Sequence, residues 1–149
     1  VKTETVYLNK ILKEAGQKFD KQIQEKALKL ISTIADTISV KADSFFLSLI
    51  IDNLFSNAIK YSAVNGSIHV SWDQPGKTLS VTNDGAGITR QQIPLLFNRF
   101  YRTDESRSSE IPGSGLGLAI VKKLADLQHI TITVSSQPGN TSFSLHFPA

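Results

Sequence analysis

The chain has 149 residues, a usual length for one domain, and 40% of them are hydrophobic, which is enough for a full core. It contains no cysteine, which excludes disulfides and thiolate metal sites, and it has no apolar run of the roughly 18 residues that a membrane span needs. The net charge of +3 is mild and both signs are interspersed, so we expect neither a nucleic-acid partner nor direct membrane contact.

The first part of the chain alternates between helical and extended patterns. Apolar residues at helical spacing, with charged residues between them, predict a helix over 8–26. The apolar residues from Leu28 to Val40 predict two short strands around a turn at 35–37. Because the chain begins with Val1 and contains no Met, we also expect it to be a fragment of a larger protein.

The central predicted helix starts after Asp43 or Ser44, which both suit an N-cap, and ends near Tyr61. One face is apolar at steps of four, three and four residues: Leu47, Ile51, Leu54 and Ala58. A second stripe carries two carboxamides and an ammonium group: Asn53, Asn57 and Lys60. Asn is a poor helix former, so this pair is either a hydrogen-bonded interior pair or a ligand site. Amide oxygens suit Mg²⁺, and a Lys suits phosphate, and we favour the ligand site.

The rest of the chain predicts two hairpins and a third helix. Alternating apolar residues predict strands over 67–72 and 79–82, and a closing hairpin over 130–147. A helix follows Gly117 and ends near His129. Because the strands cluster in hairpins, the pattern favours an α/β two-layer sandwich, with three helices covering one face of the sheet, over a doubly wound parallel sheet.

A glycine cluster opens the third helix, at residues 113–117. Such a turn exposes backbone N–H groups to an anion and adds the positive end of a helix dipole. A Walker-type loop would require Lys-Ser or Lys-Thr after Gly117, where Leu118-Ala119 stands. A dinucleotide fingerprint would require a small residue at position 118. Phosphate binding by a glycine-rich loop of a different type remains as the interpretation.

Four motifs, in order, resemble those of the ATP-binding catalytic domain of two-component sensor histidine kinases. The N box resembles 53–61, the first glycine box 83–87, the phenylalanine box 96–102 and the second glycine box 113–118. The resemblance covers nearly the whole chain and implies a single Bergerat-type, GHKL-like domain over 1–149. The fold it implies has a mixed, mostly antiparallel sheet.

The resemblance also implies ATP and Mg²⁺ as cofactors and assigns roles to residues. Asn57 would bind Mg²⁺ with Asn53 nearby, Lys60 would meet the phosphates, and Tyr61 would lie against adenine. The adenine pocket would be shaped by Gly85, Gly87 and Ile88. A lid over about 89–112 would be anchored by Phe97 and Phe100, and Arg102 would reach a phosphate. The phosphates would be cradled by Gly113, Ser114, Gly115, Leu116, Gly117 and Leu118. Asn53, Lys60 and Arg102 are the predicted catalytic residues.

Two positions carry further information. The family usually has Asp where this chain has Asn83. The Asn83 carbonyl oxygen can still accept a hydrogen bond from the adenine amino group, without the charge, which predicts weaker affinity or relaxed adenine selectivity. Relatives that hydrolyse ATP or phosphorylate serine usually have Glu, a general base, one turn before the Mg²⁺ ligand. Neutral Asn53 stands there, which favours histidine phosphorylation over that ATPase or serine-kinase alternative.

The partners implied are a His-bearing dimerisation domain and a response regulator. None of His69, His129 and His146 has the sequence surroundings of an acceptor, so we expect the acceptor domain and any sensor domain to lie outside this chain. The implied location is the cytoplasm, as part of a membrane-anchored receptor. A non-catalytic nucleotide-binding adaptor is the remaining alternative.

Overall fold

The computed structural model describes residues 1–96 and 117–148. The strands are β1 Glu4–Tyr7, β2 Lys29–Ser32, β3 Ser39–Ala42, β4 Ser67–Asp73, β5 Thr78–Asn83, β6 Thr131–Gln137 and β7 Asn140–His146. The helices in these ranges are α1 Leu8–Lys18, α2 Asp20–Glu25, α3 Ser44–Tyr61, α4 Gln92–Leu95 and α5 Leu118–Asp126. No described helix combines the length and apolar content needed to cross a bilayer.

The main sheet has five strands in the order β2-β4-β5-β7-β6, and only the β2–β4 pair is parallel. Its inner face is apolar: Ile68 and Val70 of β4 and Leu79 and Val81 of β5 are buried. Its outer face is polar and carries a hydrogen bond between the Ser80 and Ser144 hydroxyls of neighbouring strands, 2.8 Å apart. The predicted α/β sandwich with a mixed, mostly antiparallel sheet is confirmed.

Helix α3 lies at the centre of the core. Ten of its 18 residues are buried, including all four of the predicted apolar stripe. The Asp43 carboxylate caps the helix by accepting a hydrogen bond from the Phe46 N–H at 3.0 Å, as the sequence predicted. The Asp43 N–H donates to Oε1 of buried Gln128 at 2.7 Å, so the start of α3 is held against the end of α5.

One prediction for the first forty residues was wrong. The helix expected over 8–26 is divided by Phe19, which caps the end of α1 and turns its ring into the core with only 1% of its surface exposed. Val6, just before the predicted helix, lies in β1. The two short strands predicted around 35–37 are confirmed as β2 and β3; β3 pairs with β1 in a separate two-stranded sheet, and β2 pairs with β4.

Candidate functional site: a nucleotide-binding pocket at the end of the central helix

The two carboxamides predicted on α3 contact each other. The Nδ2 of Asn57 donates a hydrogen bond to Oδ1 of Asn53 at 2.9 Å. Asn53 is 7% exposed, whereas Asn57, one turn later, is half-buried. This hydrogen bond uses the Asn57 amide nitrogen, and the amide oxygen is the atom that could ligate a hard cation.

Amide oxygens are the atoms that could serve as metal ligands at this site. In residues 1–96 and 117–148 no group of three or more His, Cys, Asp and Glu side chains is placed to hold a metal ion. A Mg²⁺ ion bound through one amide oxygen would complete its coordination with water and with ligand phosphates, which is its usual mode in nucleotide sites. The Asn53–Asn57 pair fits such an ion.

The first glycine box packs directly onto the end of α3. Gly85 has φ +127°, and a Cβ at this position would lie 3.2 Å from the Tyr61 carbonyl carbon and overlap its oxygen. Only glycine allows this approach and this backbone conformation. The contact brings residues 83–87 beside Lys60 and Tyr61. The N box and the first glycine box therefore form one wall of the candidate nucleotide-binding pocket.

Asn83 lies at the base of this wall with 1% of its surface exposed. Its Nδ2 donates to the Asp84 carbonyl oxygen at 2.5 Å, and its Oδ1 accepts no hydrogen bond within the described parts of the chain. A buried acceptor without a donor costs about 1–3 kcal/mol. An exocyclic amino group such as that of adenine would satisfy it, so the chemistry of this residue fits the base of ATP.

Thr141 is a buried polar residue beside Asn83 that the sequence analysis missed. It lies directly opposite Asn83 in the β5–β7 register and is 1% exposed. Its hydroxyl lies 2.7 Å from that of Ser136, which in turn accepts from the Ile88 N–H at 2.7 Å. The signal was present: Thr141 is a polar residue at an inward position of β7, two residues before Phe143.

The β6–β7 turn supports the glycine box from the other side. The Gly139 N–H donates to the Gly85 carbonyl oxygen at 2.6 Å. A Cβ on Gly87 would lie 3.1 Å from the Gln137 carbonyl oxygen, so this second glycine also faces backbone closely. The pocket wall is therefore built by three segments that are distant in the sequence.

The predicted phosphate-binding segment is described only at its end. Gly117 is the N-cap of α5, and Leu118 is the first helical residue, with a buried side chain. The other predicted residues of this region lie outside the described residues: Phe97, Phe100, Arg102, Gly113, Ser114, Gly115 and Leu116. The same holds for the predicted lid beyond Leu96. Its first part forms α4, with Ile88 and Leu96 buried on either side.

A separate cavity of about 590 Å³ opens between α1 and β2. Its lining includes Leu12, Gly16, Leu30 and Phe55. None of the predicted nucleotide-binding residues lines it, so the cavity is distinct from the pocket at the end of α3.

Comparison with known proteins identifies the family to which this domain belongs. The family described as histidine kinase-, DNA gyrase B- and HSP90-like ATPase matches residues 42–149, which contain all four motifs. The chain belongs to this ATPase family. Membership makes ATP the ligand of the domain, in agreement with the unsatisfied acceptor of Asn83.

Curated relatives of this ATPase domain are sensor histidine kinases. The chain is 39% identical over 119 residues to the sensor histidine kinase YkoH of Bacillus subtilis, covering 79% of this chain and 26% of the relative. It is 34% identical over 141 residues to the signal transduction histidine-protein kinase BaeS of Escherichia coli, covering 93% of this chain and 30% of that protein. The predicted resemblance is confirmed, and the chain spans less than a third of the length of these two proteins.

Solved structures agree on the fold. The catalytic domain of histidine kinase ThkA superposes with a TM-score of 0.84 at 24% identity, covering 99% of this chain and 96% of the other. The mycobacterial sensor histidine kinase MprB gives a TM-score of 0.78 at 28% identity, covering 99% of this chain and 100% of the other.

The three histidines of this ATPase domain lie away from the pocket residues described above. His69 is exposed on the outer face of β4, and His129 is exposed between α5 and β6. His146 on β7 lies within hydrogen-bonding distance of the Thr78 and Thr133 hydroxyls, at 3.0 and 2.8 Å.

Proposed function

We propose that this domain binds Mg²⁺-ATP and transfers the γ-phosphoryl group to a histidine of a separate dimerisation domain, as one step of two-component signalling in the cytoplasm. The similarity to sensor histidine kinases supports this proposal. The single observation that carries it is the neutral, buried Asn53, whose Oδ1 accepts from Asn57. An amide cannot take a proton from water or from a serine hydroxyl at neutral pH.

Transfer of the γ-phosphoryl group to an imidazole does not require a strong general base. The acceptor imidazole nitrogen uses its lone pair to form the P–N bond, the bond from the γ-phosphorus to the bridging oxygen breaks, ADP leaves and the imidazole proton goes to solvent. Bound Mg²⁺ supplies neutralisation of charge on the phosphates. The chain supplies positioning and electrostatic stabilisation.

Residues of the chain divide these tasks. Asn53 orients the Asn57 amide, the Asn57 oxygen holds the metal, and Lys60 adds a positive charge near the phosphates. Asn83 accepts from the adenine amino group, with Tyr61 against the base. Arg102 and the glycines of 113–117 complete the phosphate contacts in this proposal. The lid over about 89–112 closes over the nucleotide.

The decisive experiment combines the chain with the acceptor-histidine segment of the parent protein and γ-labelled ATP. We expect acid-labile label on the acceptor, because phosphohistidine is hydrolysed in acid whereas phosphoserine is not, and we expect Asn57→Ala to abolish it. Acid-stable label would favour the serine-kinase alternative. Steady release of phosphate by the chain alone would favour an ATPase, and tight ATP binding without transfer would favour an adaptor. The cognate response regulator would then take the phosphoryl group from the acceptor.

A further inference from the structure

Asp84, the residue after Asn83, forms hydrogen bonds with both ends of the turn that follows α3. The Asp84 carboxylate accepts hydrogen bonds from the Ala63 N–H at 3.3 Å and from the Ser67 N–H at 3.1 Å. Ala63 lies just after α3, and Ser67 is the first residue of β4. Hydrogen bonds to an ionised acceptor are stronger than neutral ones, so this carboxylate holds the turn in one geometry.

Gly66 makes room for that carboxylate. A Cβ on Gly66 would lie 2.6 Å from Asp84 Cγ and would overlap Oδ1. The backbone of Gly66 does not have a positive φ, so another residue would fit its conformation. Its lack of a side chain therefore serves the approach of Asp84.

Lys26 holds the last turn of α3 from the opposite side. Its Nζ donates to the carbonyl oxygens of Ile59 at 2.7 Å and Lys60 at 3.2 Å, at the helix C-terminus, where the helix dipole favours a positive charge. Burial lowers the pKa of Lys26, and the negative charge of Asp84 acts in the opposite direction. The two charged residues therefore act on the same helix end.

These contacts surround residues that face the nucleotide in the proposed function. Lys26 binds the backbone of Lys60, and Asp84 directly precedes Gly85, which packs on the Tyr61 carbonyl. Asp84 also accepts immediately beyond Tyr61, at Ala63. A shift of this turn would therefore change the position of Lys60 and Tyr61 relative to the first glycine box.

We propose that Asp84, together with Lys26, is a positioning residue for nucleotide binding, which fixes the end of α3 against the first glycine box so that Lys60 and Tyr61 meet the nucleotide. This inference rests on the proposed function, since it assumes that Lys60 and Tyr61 contact ATP. Asp84 itself touches no ligand in this scheme.

The chain offers a matched control. Asp73 accepts from the Gly76 N–H at 3.0 Å, and a Cβ on Gly76 would lie 2.6 Å from the Asp73 Oδ2, so it makes the same kind of contact in another turn. Asp73 lies at the opposite end of the β4–β5 hairpin from Asn83. Loss of either carboxylate loosens a turn, but only the loss of Asp84 should affect the nucleotide.

The test measures the ATP dissociation constant by calorimetry, at a temperature where urea unfolding shows each variant to be fully folded. We expect Asp84→Ala to weaken ATP binding about tenfold or more, because a small misplacement of binding groups is costly. Asp84→Asn, which keeps one acceptor oxygen, should recover part of the affinity. Asp73→Ala should bind as the unmodified chain does.

A double-mutant cycle with Gly66 gives the sharper outcome. Gly66→Ala displaces the carboxylate without removing it, so it should weaken ATP binding by itself and have no further effect in the Asp84→Ala background. ATP binding by folded Asp84→Ala equal to that of the unmodified chain would overturn this inference and leave the proposed function intact. Absence of ATP binding by the unmodified chain would instead refute the proposed function.

Discussion

Replacement of Gly85 by Ala tests the contact that joins the first glycine box to the end of α3. The added Cβ overlaps the Tyr61 carbonyl oxygen and lies 3.4 Å from the Ala63 nitrogen. Both are backbone atoms, which cannot move aside by changing a rotamer. The φ of +127° adds a second cost, because side-chain-bearing residues rarely adopt it.

The two costs have separate magnitudes. A residue held in a sparsely populated backbone region costs about 1–3 kcal/mol. Forcing an extra methyl group into a packed site costs about 1–3 kcal/mol more. We therefore expect Gly85→Ala to lower the free energy of unfolding by about 2–6 kcal/mol. A large share of the stability of a domain is lost at the upper end of that range.

Gly139→Ala separates these costs. Gly139 has φ +84°, but a Cβ there would meet no atom within 4 Å, so only the backbone cost applies. Urea unfolding followed by circular dichroism gives both free energies of unfolding, and the difference between the variants measures the contact. Equal destabilisation by the two substitutions would refute the close packing of the glycine box on Tyr61. Because that packing forms the pocket wall, we also expect ATP binding to be lost in folded Gly85→Ala.

Four further results are expected. Asn57→Ala should weaken Mg²⁺-dependent ATP binding more than about tenfold, or about 1.4 kcal/mol, because it removes the proposed metal ligand; undiminished binding in calorimetry would contradict that role. Hydrogen bonds from the backbone N–H groups of Lys2 and Phe46 lower the pKa of the Asp43 carboxyl below its usual value. The charge of this carboxylate therefore stabilises the fold above about pH 4, and this contribution is lost as the pH falls through the folded-state pKa. Urea midpoints of the unmodified chain and Asp43→Asn should therefore converge with acidification, and a constant gap would argue against the cap. Thr141→Val, which keeps the shape but removes the hydroxyl beside Asn83, should weaken ATP binding in calorimetry; an unchanged dissociation constant would remove Thr141 from the pocket. The chain incubated alone with γ-labelled ATP should carry no acid-labile label, and robust labelling would overturn the expectation of an external acceptor.

Local patterns in the sequence were sufficient for the elements of the site. The period of apolar residues in α3 predicted the helix, and the spacing of Asn53 and Asn57 predicted their adjacency, because residues four apart on a helix must be neighbours. The residue types at its start limited the cap to Asp43 or Ser44, and Asp43 is the cap in the structure. The alternation in β4 and β5 predicted which side chains are buried. These features depend on residues that are close together in the sequence, so the amino-acid order alone predicts them.

Pairing between distant segments was decided only by the tertiary structure. The sequence predicted β2 and β3 without assigning their partners, and each pairs with a different strand, since the hydrogen-bonding edge of a short strand does not encode which strand it joins. The same holds for the pocket. Asn83 was expected to accept from a ligand, but its registry with Thr141, and the use of Asp84 to hold the turn after α3, arise from contacts between segments 17 to 58 residues apart. Amino-acid order determined what each segment is, and packing in three dimensions determined which segments meet, because burial favours the whole arrangement rather than any one segment.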